Sequence, residues 1–163
     1  MKTPGPIAST LMLIVLIALP QLVGYVGSSL TFISVETWYA GLEKPPLNPP
    51  NWAFDVVWTA LFFIMGLASW IYWRAAGGII GALFGLTIYG AQLGLNLSWS
   101  YFFFGLQNAF AGLLVLIALF VAIALTTGVF LRKSRTAAYL MVPYILWVLF
   151  AGYLNAGIVL LNG

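Results

Sequence analysis

The stretch "AFAGLLVLIALFVAIALTTGVFL", Ala109 to Leu131, holds no charged residue and no proline. At about 1.5 Å of rise per residue it is long enough to cross a hydrocarbon core of roughly 30 Å. A helix apolar on every side has no face to offer water. Working outward, four more runs have the same character: about Ile7 to Val26, Trp52 to Trp73, Ile79 to Phe103 and Ala137 to Leu161. The chain as a whole is 63% hydrophobic and 6% charged, against about 25% charged in soluble domains. These features predict an all-α membrane protein, a single five-transmembrane-helix bundle over residues 1–163. The breaks Arg74–Gly78, Gly105–Asn108 and Arg132–Thr136 are short, so successive spans are antiparallel neighbours. The exception is residues 27–51, read as a long structured loop that covers the bundle. Its "WYAGLEKPPLNPPNW", Trp38 to Trp52, is too aromatic and proline-rich for a plain linker.

Five spans place the termini on opposite sides. Lys2, Arg74, Arg132, Lys133 and Arg135 then share one side, and Lys44 is the only cation on the other. In a bacterial inner membrane the positive-inside rule puts the N-terminus and the second and fourth loops in the cytoplasm. The first run carries no Ala-x-Ala site and reads as a retained span, not a cleaved signal. The basic residues read as topology signals, not as a nucleic-acid surface. There is no Cys and no His, which excludes disulfides, thiolate and imidazole catalysis, and Cys/His metal sites. No obligatory cofactor or metal is called for.

In the third span Gly81, Gly85, Tyr89, Gln92, Asn96, Trp99 and Phe103 fall in one helical sector, mixing small, amide and aromatic groups that belong against protein or a cavity. Gly90 and Gly94 lie opposite, at the spacing of a helix contact. They fit packing within the chain and a homodimer through this span equally well. In the fifth span Pro143, Trp147, Ala151 and Asn155 recur every four residues. In the second, Trp58, Phe62, Met65 and Ser69 do much the same. Together these stripes can be bundle packing or the lining of an apolar pocket with a few orienting polar groups. Asp55 is expected in the first turn of the second span, capping its dipole.

The motifs "WYAGLEKPPLNPP" (38–50), "VVWTALFFIMG" (56–66), "QLGLNLSWSYFFFG" (92–105) and "VPYILWVLFAGYLN" (142–155) resemble one family. It is the translocator protein family, also called the tryptophan-rich sensory proteins or peripheral-type benzodiazepine receptors. The resemblance covers nearly the whole chain. It implies a five-helix bundle, in a bacterial membrane, which is favoured, or in the mitochondrial outer membrane of a eukaryote, that often dimerises and binds porphyrins, sterols and synthetic ligands under the first loop. Carried onto this sequence, the ligand site would use Tyr39, Pro49, Trp58, Phe62, Asn96, Trp99, Phe103, Trp147, Ala151 and Leu154. Porphyrin or haem is the implied ligand, held without His or Cys ligation. Trp58 and Trp147 resemble the pair that some bacterial relatives use in light-dependent porphyrin breakdown. The sequence departs from the family at Leu47, where Trp is frequent and would add an aromatic contact to a flat ligand. It also departs after Asn155, where no Tyr or basic residue continues the sterol pattern of animal members.

The leading expectation is therefore a membrane binding or sensory protein for tetrapyrroles and related hydrophobic ligands. The alternatives are light-dependent porphyrin degradation at Trp58 and Trp147, and transport of tetrapyrroles or sterols. No acid–base dyad in the spans supports conventional catalysis, and no charge pair there supports a pump.

Overall fold

The computed structural model describes residues 5–163; Lys2 lies outside them. Among the described residues there is no strand, and five helical stretches are long and apolar enough to cross a membrane. α1 is Pro6–Glu36, α2 Asn51–Ala75, α3 Ile79–Ser100 and α4 Ala109–Leu131. The last stretch is broken into α5, Arg135–Leu140, and α6, Val142–Asn162. Large side chains such as Ile80, Phe84, Leu114 and Leu160 stand exposed around the outside. On a membrane-spanning bundle this is the lipid-facing surface. The chain is an integral multi-pass membrane protein.

α1 corrects the sequence reading. It continues ten residues past Val26, to Glu36, so the first loop proper is only residues 37–50. Gly27-Ser28-Ser29 looked like a break. Instead Gly27 is buried against the Ser100 hydroxyl, 3.2 Å from where its Cβ would sit, and Ser34 donates to the Phe104 carbonyl at 2.7 Å. Gly27 is there for close packing, not for a turn.

Lower in α1, Pro20 sits inside the helix and is buried. It has no N–H for the Leu16 carbonyl four residues back. That carbonyl faces Gly66 of α2, where a Cβ would come within 2.6 Å of Leu16 O and 2.8 Å of Ile17 Cα. The two backbones are therefore in direct contact, as glycine permits between membrane helices. Trp70 Nε1 also donates to the Ser9 carbonyl at 2.9 Å, which ties the start of α1 to the end of α2.

α3 does not simply stop. Tyr101–Gly105 continues it as a π-helical turn, with Leu106 N donating to Tyr101 O at 2.8 Å. The wider turn lets two successive residues, Phe103 and Phe104, both point inward. α4 begins at the place the sequence marks: the Asn108 side chain accepts from Ala111 N at 2.9 Å, an N-cap. The break between α5 and α6 falls at Met141, just before Pro143, which cannot donate to the Tyr139 carbonyl. The inward face of the last span also differs from the stripe read in the sequence. The buried residues are Tyr144, Val148, Ala151, Leu154, Asn155 and Ile158, while Pro143 is exposed. The stripe drawn through Pro143 and Trp147 is thus displaced by about one residue at its start.

Asp55 is also corrected. α2 begins at Asn51, so Asp55 is its fifth residue, outside the first turn, and no side chain caps that end.

Candidate functional site: an aromatic cavity beneath the first loop

A cavity of about 750 Å³ lies between α1, α2, α3 and α6 under the first loop. Aromatic side chains form most of its wall. Trp58 stacks on Phe62, with ring centroids 5.5 Å apart, and Trp99 stacks on Phe103 at 5.6 Å. Trp58 and Trp99 are 6.1 Å apart, joining the two stacks. Each pair is one turn of the same helix (i, i+4), so helix geometry alone sets two rings side by side.

The buried amides and the buried indole of the wall are engaged. Trp99 Nε1 donates to Asn155 Oδ1 at 3.2 Å, and Asn155 Nδ2 donates in turn to the Ala109 carbonyl at 2.7 Å. Asn96 Nδ2 donates to the Tyr144 hydroxyl at 3.0 Å. These bonds hold Asn96, Trp99 and Tyr144 in fixed orientations, because an amide or indole N–H left unpaired there would be costly.

The loop is fastened at several points. Trp38 and Tyr39 meet the Phe103 ring edge-on at 5.4 and 6.2 Å, and Tyr39 lies 5.8 Å from Phe104. The π-turn thus supplies the seat for the loop. The Tyr39 hydroxyl donates to Asn48 Oδ1 at 3.0 Å. At the far side, Asn162 of α6 bonds the Glu43 backbone twice, accepting from Glu43 N and donating to Glu43 O, each at 2.9 Å. Tyr153 donates to the Pro46 carbonyl at 3.0 Å. Pro45 lies on Gly157, where a Cβ would come within 2.6 Å of its ring.

Burial raises the Tyr39 hydroxyl above its ordinary 10.0, partly offset by the Asn48 bond. The proton is therefore held more tightly in the docked loop than in the released one. Its contribution is complete below about pH 10 and is lost as pH rises through the elevated value. Protease cleavage of the first loop is expected to accelerate above pH 10 in the native chain. In Tyr39→Phe, which has no proton to lose, the alkaline increase should disappear.

Of the ten residues named from the sequence, Tyr39, Trp58, Phe62, Asn96, Trp99, Phe103, Ala151 and Leu154 line this cavity. Pro49 and Trp147 do not. Pro49 lies just before the start of α2, and its carbonyl accepts from Asn48 Nδ2 at 3.2 Å. Trp147 stands behind Trp58, its ring 6.4 Å away and nearly perpendicular at 88°, with Phe54 at 5.9 Å on its other side. Leu47, where an aromatic contact seemed to be missing, is 80% exposed with φ of 69° and lines no part of the cavity. The sequence reading missed α1 entirely. Gly24, Gly27, Thr31 and Val35 form one wall, and Gly24 is overlaid by the Phe62 ring. Their signal was available as a run of small and polar residues at spacings of three and four, continuing through the supposed break.

A family model described as "TspO/MBR family" matches residues 16–161. The chain belongs to that family. Among similar TspO/MBR proteins is the tryptophan-rich protein TspO of Archaeoglobus fulgidus, 46% identical over 140 residues, covering 86% of this chain and 90% of the relative. The translocator protein of Homo sapiens is 37% identical over 137 residues, covering 83% and 81%. The tryptophan-rich sensory protein of Cereibacter sphaeroides is 35% identical over 127 residues, covering 78% of each chain. The TspO/MBR match takes in most of α1, all of α2, α3, α4 and α5, the first loop, and all but the last residue of α6, so every residue that lines the cavity lies inside it.

Proposed function

We propose that this chain binds flat, largely apolar ligands of the tetrapyrrole class in the cavity beneath the first loop and serves as a sensor or carrier of them within the membrane. The observation that carries this reading is the pair of stacked aromatic walls, Trp58–Phe62 and Trp99–Phe103, meeting at 6.1 Å. Such walls favour a planar π-system, which gains stacking on top of area burial. The chain offers no His or Cys to ligate a ring-bound metal, so recognition falls to ring faces and edges. Titration with protoporphyrin should quench tryptophan emission saturably. Linear quenching, equal to that of free tryptophan in the same detergent, would refute the reading.

A second reading, light-driven breakdown of the bound ring, draws support from the Trp58–Trp147 contact and from the Trp147 N–H, which is buried without a partner. Illumination of the complex in air should then yield a new open-chain absorbance that Trp147→Phe abolishes. Loss of porphyrin at the rate seen without protein would end that reading.

Association through α3 belongs to the same proposal. Gly90 and Gly94 are exposed, and a Cβ at either position would meet nothing within 4 Å. Packing within the chain is therefore not their use, and a second copy is the occupant proposed here. Gly94→Leu should convert a dimer into a monomer in sedimentation equilibrium without altering the porphyrin titration. The cytoplasmic placement of Arg74, Arg132, Lys133 and Arg135 in a prokaryotic membrane completes the proposal.

A further inference from the structure

Below the cavity the bundle core holds polar groups that the site does not use. Gln92 and Tyr89 of α3 lie one and two turns beneath Asn96, on the same buried face. Neither lines the cavity. Both side chains are fully enclosed, at 0% and 1% exposure. Gln92 Oε1 and the Tyr89 hydroxyl are buried with no hydrogen-bond partner among the described residues. An amide carbonyl or a hydroxyl left unpaired inside a bundle is costly, and native interiors contain few of them.

The neighbours rule out a simple rearrangement. Gln92 Nε2 approaches Met65 Sδ of α2 at 3.9 Å. Turning the amide over would set its oxygen against a sulfur that serves only as an acceptor, so Oε1 stays on the other side. The Tyr89 hydroxyl lies beside Ser69 of α2 without a well-formed bond to it. The Ser69 proton is spent on the Gly66 carbonyl at 2.8 Å, which leaves its oxygen free to accept. Met65 and Ser69 are one turn apart on α2, and Gln92 and Tyr89 meet them in antiparallel order. The two unpaired oxygens are therefore about one helical turn apart, roughly 5–6 Å. A single water making two hydrogen bonds of about 2.8 Å spans that gap.

We infer that one ordered water is an integral part of the bundle, bridging Gln92 Oε1 and the Tyr89 hydroxyl and tying α3 to α2 below the cavity floor. Water has the valence the site requires. It accepts the Tyr89 proton, donates to Gln92 Oε1 and has a second proton for Ser69 Oγ, within the two to four partners typical of buried water. The groups are all neutral, with no carboxylate among them, so a cation would find no countercharge there. The water acts on the packing of α2 against α3 and does not depend on what the cavity binds.

The test is a double-mutant cycle on the full chain in detergent, read as the midpoint of thermal unfolding, with Tyr89→Phe and Gln92→Met as near-isosteric variants. If a water joins the two groups, either change alone strands the other partner, and the midpoint should fall by about 3 °C. The double variant removes both partners together and should lie closer to native than either single. If the groups are instead unpaired, each single change deletes a penalty and the midpoint rises. A rise, no change, or losses that simply add would each overturn the inference. Crystals of the native chain that resolve ordered water should show one between the two atoms, and none there in the double variant. A direct bond between the side chains, or no density between them, would also overturn it.

Discussion

Replacing Trp58 with alanine should lower affinity for a planar porphyrin roughly a hundred-fold, from the lost stacking and burial of one large ring. The expected loss exceeds that for any other single wall residue because Trp58 is where the aromatic network converges. Its ring contacts Phe62 at 5.5 Å, Tyr144 at 6.0 Å, Trp99 at 6.1 Å and Trp147 at 6.4 Å. Removing it takes away one face of the site and also loosens Phe62, which is its stacking partner. Helix insertion should survive, since Trp58 is only half-buried and makes no hydrogen bond that fixes the backbone. Quenching of the remaining tryptophans would report affinity, and far-ultraviolet circular dichroism would report the helices. Native affinity in Trp58→Ala would show that the ligand does not lie in this cavity. Trp147→Ala should cost much less, because Trp147 lines no part of the cavity and meets it only through Trp58 and Phe54.

The second large effect is expected at Gly66. A leucine there has nowhere to go: its Cβ already meets Leu16 O at 2.6 Å and Ile17 Cα at 2.8 Å, and a helix backbone cannot swing aside as a side chain can. α1 must separate from α2. Overpacking of this kind costs about 1–3 kcal/mol even where the neighbours can shift, and more is expected where they cannot. The midpoint of thermal aggregation in detergent, followed by size-exclusion chromatography, should fall by ten degrees or more, on the order of the shift such energies produce in a domain of this size. Porphyrin binding should fall with it, since Gly24, Gly27, Thr31 and Val35 of the same helix form one wall. By contrast Gly128→Leu, where a Cβ would meet nothing within 4 Å, should leave the midpoint near native. A stable, ligand-binding Gly66→Leu would mean that α1 and α2 do not pack as described.

The five spans were legible because the bilayer imposes a single length on every apolar run, and Ala109–Leu131 matches its helix residue for residue. The stripes of the second and third spans were legible for a similar reason. A polar or small residue is costly against lipid, so Gln92, Asn96 and Ser69 had to face inward, and all three are buried. What escaped was whatever depends on departure from a regular helix or on a partner distant in sequence. Gly27-Ser28-Ser29 has the composition of a turn, and only Ser100, far along the chain, shows that its glycine packs a helix contact. The π-turn at Tyr101–Gly105 has no sequence signature of its own, so the joint burial of Phe103 and Phe104 could not be foreseen from a period of 3.6. Trp147 was misplaced because steps of four residues drift about 40° each from a 3.6-residue period, so a stripe that faces inward at Ala151 and Asn155 has turned away at Trp147 and Pro143, all four within α6.

A π-turn is an α-helix with one residue too many. The surplus at Tyr101–Gly105 therefore acts as a phase offset between the wall of the cavity and the seat of its loop. Deleting a single residue there would restore ordinary helical phase and swing Phe104 about 100° off its seat under Tyr39, while Asn96 and Trp99, upstream of the offset, would stay where they are. One deletion would thus keep the Trp58–Phe62 stack and Trp99 in place while displacing Phe103 and Phe104, the two rings on which the loop rests.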